Sequence, residues 1–255
     1  EVGFNMTYFN SLWKVKADEA LSDLMNPYKR QTHQTDYYGL GYIDTGLYQN
    51  KEDILNSPRR LGSTQTKLGD IGYTDVNGDG KIDGEDQVRI GKPTMPHFTY
   101  AFDFSLGYEG FTLSGLLYGT GERYMTFGNR YQSGEGKYLY YENQLNYWRP
   151  DNTGADFPRI SISSGVNGNN NKAGSTFWMR NASYLRLKDL QLSYDFKYKY
   201  LKKCDWLQTC RVNLSGSNLF TISGVSKFFD PETSSTSGDG YPVQRVYSIG
   251  VTIGF

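Results

Sequence analysis

Residues 75–86 read Asp75-Val76-Asn77-Gly78-Asp79-Gly80-Lys81-Ile82-Asp83-Gly84-Glu85-Asp86. Oxygen side chains fall at loop positions 1, 3, 5, 9 and 12. Gly80 falls at position 6, where a sharp turn needs φ > 0, and Lys81 at position 7 offers its carbonyl. That is the spacing of a twelve-residue calcium loop, whose ion takes roughly six to eight hard oxygens. Carboxylates packed this closely repel one another unless a cation sits among them. Asp75, Asn77, Asp79, Lys81, Asp83 and Asp86 are therefore the expected ligands of a structural Ca²⁺. Asp86 stands where such loops usually carry Glu, and its shorter side chain shortens the bidentate reach. The competing reading is an Asx-rich solvent turn. A regulatory sensor is not expected, because the flanking residues Gly72-Tyr73-Thr74 and Gln87-Val88-Arg89-Ile90 look extended rather than helical.

No catalytic constellation accompanies the loop. The chain has two cysteines, Cys204 and Cys210, and two histidines, His33 and His97, with neither zinc nor thiol-protease spacing. The cysteines suit a small disulfide loop or two free thiols equally well. His97 precedes a strand with no nucleophile beside it and reads as a core or rim histidine. No pair of carboxylates is placed by a motif, so no glycosidase machinery is nominated. The aromatic stretches 138–148 and Phe177-Trp178 suit stacking on sugars or peptides, but packing within the loops is the more economical expectation.

The elements that would carry these residues are strands. Phe98, Tyr100, Phe102, Phe104, Leu106 and Tyr108 alternate with Thr99, Ala101, Asp103, Ser105 and Gly107. Glu109-Gly110 is a two-residue hairpin turn, and Phe111-Thr112-Leu113-Ser114-Gly115 begins the returning strand. Strands are likewise expected at 2–9, at 184–196 with a bulge near Lys188-Asp189, at 211–222 and at the C-terminus. In the last of these, Tyr247, Ile249, Val251, Ile253 and Phe255 form one stripe and Ser248, Gly250, Thr252 and Gly254 the other.

Long polar connections alternate with short ones, as in outer-membrane barrels. Eleven residues from Phe98 to Tyr108, at ~3.3 Å each and tilted ~40°, span roughly 27 Å of membrane. The topology puts Cys204 and Cys210 in a short connection. A soluble sandwich with one buried face is the rival. Six strands alone would leave unpaired edges in lipid, so further strands must complete the wall.

Composition agrees with an all-β chain. Among 255 residues there are 22 Tyr, 14 Phe, 4 Trp and 29 Gly, a profile of strands and polar loops rather than of a Leu-rich α/β core. Lys+Arg 27 against Asp+Glu 27 gives zero net charge, which disfavours nucleic-acid binding. Mean hydropathy is −0.63, and no run is long enough for a transmembrane helix. The first residues, Glu1-Val2-Gly3-Phe4, lack the basic and apolar regions of a signal peptide and read as the inside of a strand.

Several segments together resemble one family. They are G-Y-I-D-T-G-L-Y-Q-N-K-E-D-I at 41–54, D-V-N-G-D-G-K-I-D at 75–83, I-G-K-P at 90–93 and G-F at 110–111. Further along come N-A-S-Y-L-R-L-K-D-L-Q-L-S-Y at 181–194, S-G-S-N-L-F-T-I-S at 215–223, D-P-E at 230–232 and G-Y-P-V-Q-R-V-Y-S-I-G at 240–250. In this order they resemble the C-terminal end of SusC-like TonB-dependent outer-membrane transporters, over nearly the whole chain.

The resemblance implies a 22-stranded antiparallel transmembrane barrel, of which residues 1–255 supply C-terminal strands and long extracellular loops. The plug domain and the contact with TonB would lie outside this chain. One extracellular loop would cover residues 14–97 and contain the Asp-rich segment 75–86. Implied partners are a SusD-like surface lipoprotein acting as a lid, the TonB complex, the rest of the barrel and plug, and outer-membrane lipid. The implied location is the outer membrane of a Gram-negative bacterium, with the C-terminus periplasmic. Tyr247, Ile249, Val251, Ile253 and Phe255 would serve as the assembly signal. The implied activity is import of a glycan or peptide, not enzymatic turnover. The alternative is an extracellular calcium-binding β-domain that binds carbohydrate. Substrate choice belongs to the loops, plug and lid, so no substrate-binding residue is assigned.

Overall fold

A computed structural model describes the chain except residues 36–38, 61, 64, 92–94, 133–140, 161–165, 226, 234–235, 237–239 and 242; of 129–130 and 166–168 only the backbone is described. Six strands form one sheet: β1 (Val2–Tyr8), β2 (Phe98–Tyr108), β3 (Phe111–Gly121), β4 (Tyr184–Asp195), β5 (Thr209–Ser223) and β6 (Val246–Gly254). They pair in chain order, each antiparallel to the next. The expected strands are all present.

The β2–β3 turn uses Glu109 at φ 45° and Gly110 at φ 85°. Two successive positive φ values give the mirror-image turn whose twist matches paired strands. The register shifts between Leu187 and Asp189 on β4, which is the bulge expected from the slipped apolar phase. Cys210 departs from expectation. It lies inside β5, opposite Ile253, because β5 begins two residues earlier than its alternation suggested. Cys204 stays in the connection, and both thiols are free.

Register sorts the side chains into two faces. Phe4, Phe102, Leu117, Leu187 and Phe220 lie side by side in one row across β1 to β5. Leu106, Leu113, Leu192, Leu214 and Ile249 form another row, across β2 to β6. The opposite face carries Ser105, Ser114, Gln191, Ser215 and Ser248 in register. Where β2 aromatics cross β3, glycine is required. A Cβ on Gly115 would stand 2.6 Å from the Phe104 ring, and one on Gly119 would stand 2.4 Å from that of Tyr100.

The main buried cluster is not on this sheet. It is made by Tyr42, Ile71, Tyr73, Ile82, Met125, Phe127, Tyr131, Phe157, Trp178, Ala182, Val225 and Phe229. All of these lie in the three long connections, 9–97, 122–183 and 224–245. Antiparallel pairing puts those connections at one end of the sheet and the short ones, 109–110 and 196–208, at the other. Two- to four-residue strands stiffen the connections, among them Ile71–Tyr73 against Asp44–Leu47 and Arg59–Arg60 parallel to Lys81–Ile82. The first connection also holds a five-residue helix, Leu21–Met25.

The sheet is open. Among the described residues β1 and β6 each pair on one side only. No helix among them is long and apolar enough to cross a membrane, which says nothing of crossing by strands.

Candidate functional site

Three parts of the chain concentrate functional chemistry. The first is the Asp-rich loop. Asp75 accepts from the N–H of Gly78 at 2.6 Å and of Gly80 at 2.7 Å. Asn77 accepts from Asp79 N at 3.0 Å, and Asp79 from Lys81 N at 2.9 Å. These are Asx turns, and Gly78 and Gly80 supply the positive φ that they need, 76° and 82°. Asp83 caps a 3₁₀ turn over Gly84–Asp86. Asp86 is fully buried and accepts from Val76 N and Asp83 N at 2.9 and 2.8 Å, tying the loop's two ends together.

The predicted ligand residues thus share one loop, with Lys81 in a short strand and exposed. Among the described residues no three His, Cys, Asp or Glu side chains are gathered closely enough to hold a metal ion. Backbone N–H groups offset part of the carboxylate charge, and each carboxylate oxygen keeps further lone-pair capacity. Partial dehydration raises the Asp75 carboxyl, but the N–H groups of Gly80 and Gly78 outweigh it and hold the group below the usual carboxylate range. Asp75 therefore stabilises the loop above the unfolded carboxylate range, and that contribution is lost as pH falls through its lowered value.

The second part lies on the polar face and was not read from the sequence. Arg186 of β4 is 1% exposed. Its guanidinium lies 2.6 Å from Asp230 and 3.0 Å from Glu232, and its Nε donates to Thr221 Oγ1 at 2.8 Å. Lys188 Nζ is 2.9 Å from both Glu232 oxygens, and the Tyr184 hydroxyl donates to Glu232 at 2.9 Å. Arg123 donates to the Pro231 carbonyl. The Asp230-Pro231-Glu232 segment is thereby bound to the sheet. Burial raises the Glu232 carboxyl, but Lys188, Tyr184 and Arg186 together keep it below the usual range. Neither alternation nor spacing links residue 186 to residues 230–232; a buried cation on an otherwise small polar face is the signal that could have found the pair.

The third part is β6. Tyr247, Ile249, Val251, Ile253 and Phe255 are 53–76% exposed in a continuous stripe. Phe255 stacks on Trp206 with centroids 5.9 Å apart and planes 12° from parallel.

The loop aromatics pack rather than wait for ligand. Trp178 is wholly buried and Trp148 nearly so; positions 138–140 lie outside the described residues. His97 is buried on the rim with Nδ1 3.3 Å from Glu122.

No family model matches the chain. It is 27% identical over 228 residues to TonB-dependent receptor P3 of Formosa agariphila, a match covering 84% of this chain and 22% of that protein. To TonB-dependent receptor P26 of the same organism it is 26% identical, over 82% of this chain and 22% of that protein. The chain thus spans about a fifth of the length of these curated relatives. Among solved structures, the RagAB peptide transporter superposes with a TM-score of 0.63 at 22% identity, covering 89% of this chain and 23% of that one. The RagAB peptide importer in its open-open state gives 0.60 at 22% identity, over 91% and 24%. The resemblance read from the motifs is thus matched in sequence by these receptors and in fold by these transporters: the six-stranded antiparallel sheet and its connections superpose on part of those solved chains. The relatives are receptors and transporters, not enzymes.

Proposed function

We propose that the chain is the C-terminal wall of a TonB-dependent importer in the outer membrane of a Gram-negative bacterium. Its apolar sheet face meets lipid, its polar face the lumen, and its long connections the outside. The observation that carries this reading is the mismatch between sheet and core. A continuous apolar face is exposed, with Phe4 at 64% and Ile249 at 74%, while the buried core sits in the connections. A soluble sandwich would cover that face with a second sheet, and the remaining described strands are only two to four residues long. The import reading extends to a SusD-like lipoprotein over the outer connections and to TonB acting through parts of the protein outside this chain. The cargo is a glycan or peptide, and the C-terminus is periplasmic.

Deleting Phe255 tests it. The deletion removes the interfacial aromatic that closes the β6 stripe. The full-length protein should still be synthesised but should assemble poorly in the outer membrane and be degraded in the periplasm. Normal insertion of the deletion variant would sink the assembly role of β6, and a parent protein that never enters the membrane fraction would sink the barrel.

Ca²⁺ in loop 75–86 is part of the same proposal, supported by the ligand spacing. The loop's own Asx turns already shape it, so the ion would add cohesion to a preformed turn. Calorimetry after chelation should detect Ca²⁺ rebinding to the full-length protein, and the double substitution Asp75→Ala, Asp79→Ala should abolish it. Absence of any binding heat in the parent protein would count against the ion.

A further inference from the structure

The long connections border an open pocket of about 320 Å³, within the range that holds a small ligand. Its walls include Tyr48, Ser57, Arg59, Arg60, Ser63 and Asn170. Arg59–Arg60 is held at one side by its parallel pairing with Lys81–Ile82, so the pocket adjoins the Asp-rich loop.

Arg59 and Arg60 both line this space, and no Asp or Glu among the described residues does. Arg59 is exposed, and its Nε and Nη2 both donate to the Ser63 carbonyl, a neutral partner. Arg60 lies over the Tyr42 ring, 5.5 Å from its centroid, and its Nε is buried without a hydrogen-bond partner. Neither arginine has a carboxylate partner among the described residues. Two acids of the same connection are engaged elsewhere. Asp70 takes Arg159 at 2.6 Å, and Asp44 takes the Thr176 hydroxyl. A buried guanidinium donor left open beside a pocket calls for an acceptor. A carboxylate matches the parallel N–H pair of a guanidinium.

We infer that this pocket binds a carboxylate of the imported molecule at the Arg60 guanidinium. That the molecule is imported rests on the transport reading; the binding does not. Saturation-transfer NMR on the purified full-length protein would compare galacturonate with galactose, and N-acetylalanine with its amide. At least one acid should receive saturation that its neutral twin does not, and the acid that does so tells a sugar acid from a chain-end carboxylate. Added salt should weaken the effect. Arg60→Gln should lower the affinity roughly tenfold, while Arg60→Lys keeps part of it and shows that the loop still folds.

Equal binding of acid and neutral twin, no binding of either acid, or full binding by Arg60→Gln would overturn the inference. Uptake by cells is measured separately. Retained binding without uptake would fail the transport reading alone, and uptake without acid-selective binding would fail this site alone.

Discussion

Leu190→Arg is expected to destabilise the assembled barrel by roughly 2–4 kcal/mol, and Gln191→Arg beside it by far less. The two positions are neighbours on β4 and face opposite ways. Leu190 lies between Gly115 and Gly216 on the apolar face, in the row that contains Phe104 and Tyr247. That row crosses β2 near its middle, the depth at which a charge in lipid costs most. Gln191 lies between Ser114 and Ser215 on the polar face, where water hydrates a new guanidinium. Urea unfolding of the full-length protein from lipid vesicles would read the difference. Equal effects would mean that neither face meets lipid, and a larger effect at Gln191 would invert the wall.

Trp178→Ala should cost about 3–5 kcal/mol, and the damage should stay in the connections. Trp178 has no exposed surface. Its ring meets Phe127 edge-on at 6.2 Å and Phe157 at 6.4 Å, and its Nε1 donates to the Asn171 carbonyl at 2.8 Å. Its own carbonyl accepts from Phe127 N at 2.8 Å. The substitution thus opens a void and orphans a carbonyl at the meeting point of the core. The sheet draws its apolar stabilisation from its other face and should survive. Hydrogen exchange would show faster exchange in residues 39–90 and 122–183 while β2–β5 remain protected. Concerted loss of protection in both parts would refute the separation of core and wall.

The strands were legible because each carries its own period. Phe98 to Tyr108 alternates without a break, Glu109-Gly110 allows only a tight turn, and the phase slip at Lys188-Asp189 marks the bulge. The contrast of short and long connections already implied that the elaborated parts share one end. The loop core was not legible. Tyr42, Phe127, Trp178 and Val225 come from three connections, and the two- and three-residue strands that align them are too short to show any period. The Asp-rich spacing located a loop, but not the fact that Asp86 is its buried internal tie, which depends on where Val76 N points. Arg186 and the 230–232 segment are 44 residues apart at their nearest, and only the folded chain joins them. Arg59 and Arg60 carry no signal in the sequence, since what distinguishes them, the lack of a carboxylate partner among the described residues, exists only in the fold.

Pairing β1 with β2 also constrains the order of events during folding. The β2–β3 hairpin closes over two residues, Glu109 and Gly110, and hairpins of that kind form within microseconds. For β1 to reach β2, the ends of the 9–97 connection must meet, as they do where Phe9 N donates to the His97 carbonyl at 2.7 Å. For a floppy loop of that length, closure costs roughly 3 kcal/mol more than a two-residue turn. A connection already condensed onto Ile71, Tyr73 and Ile82 has lost most of that freedom beforehand and presents its two ends together. The hairpin is then the seed, the condensed connections are splints, and β1 docks last, so damage to the 9–97 core should appear first as slow closure of the wall.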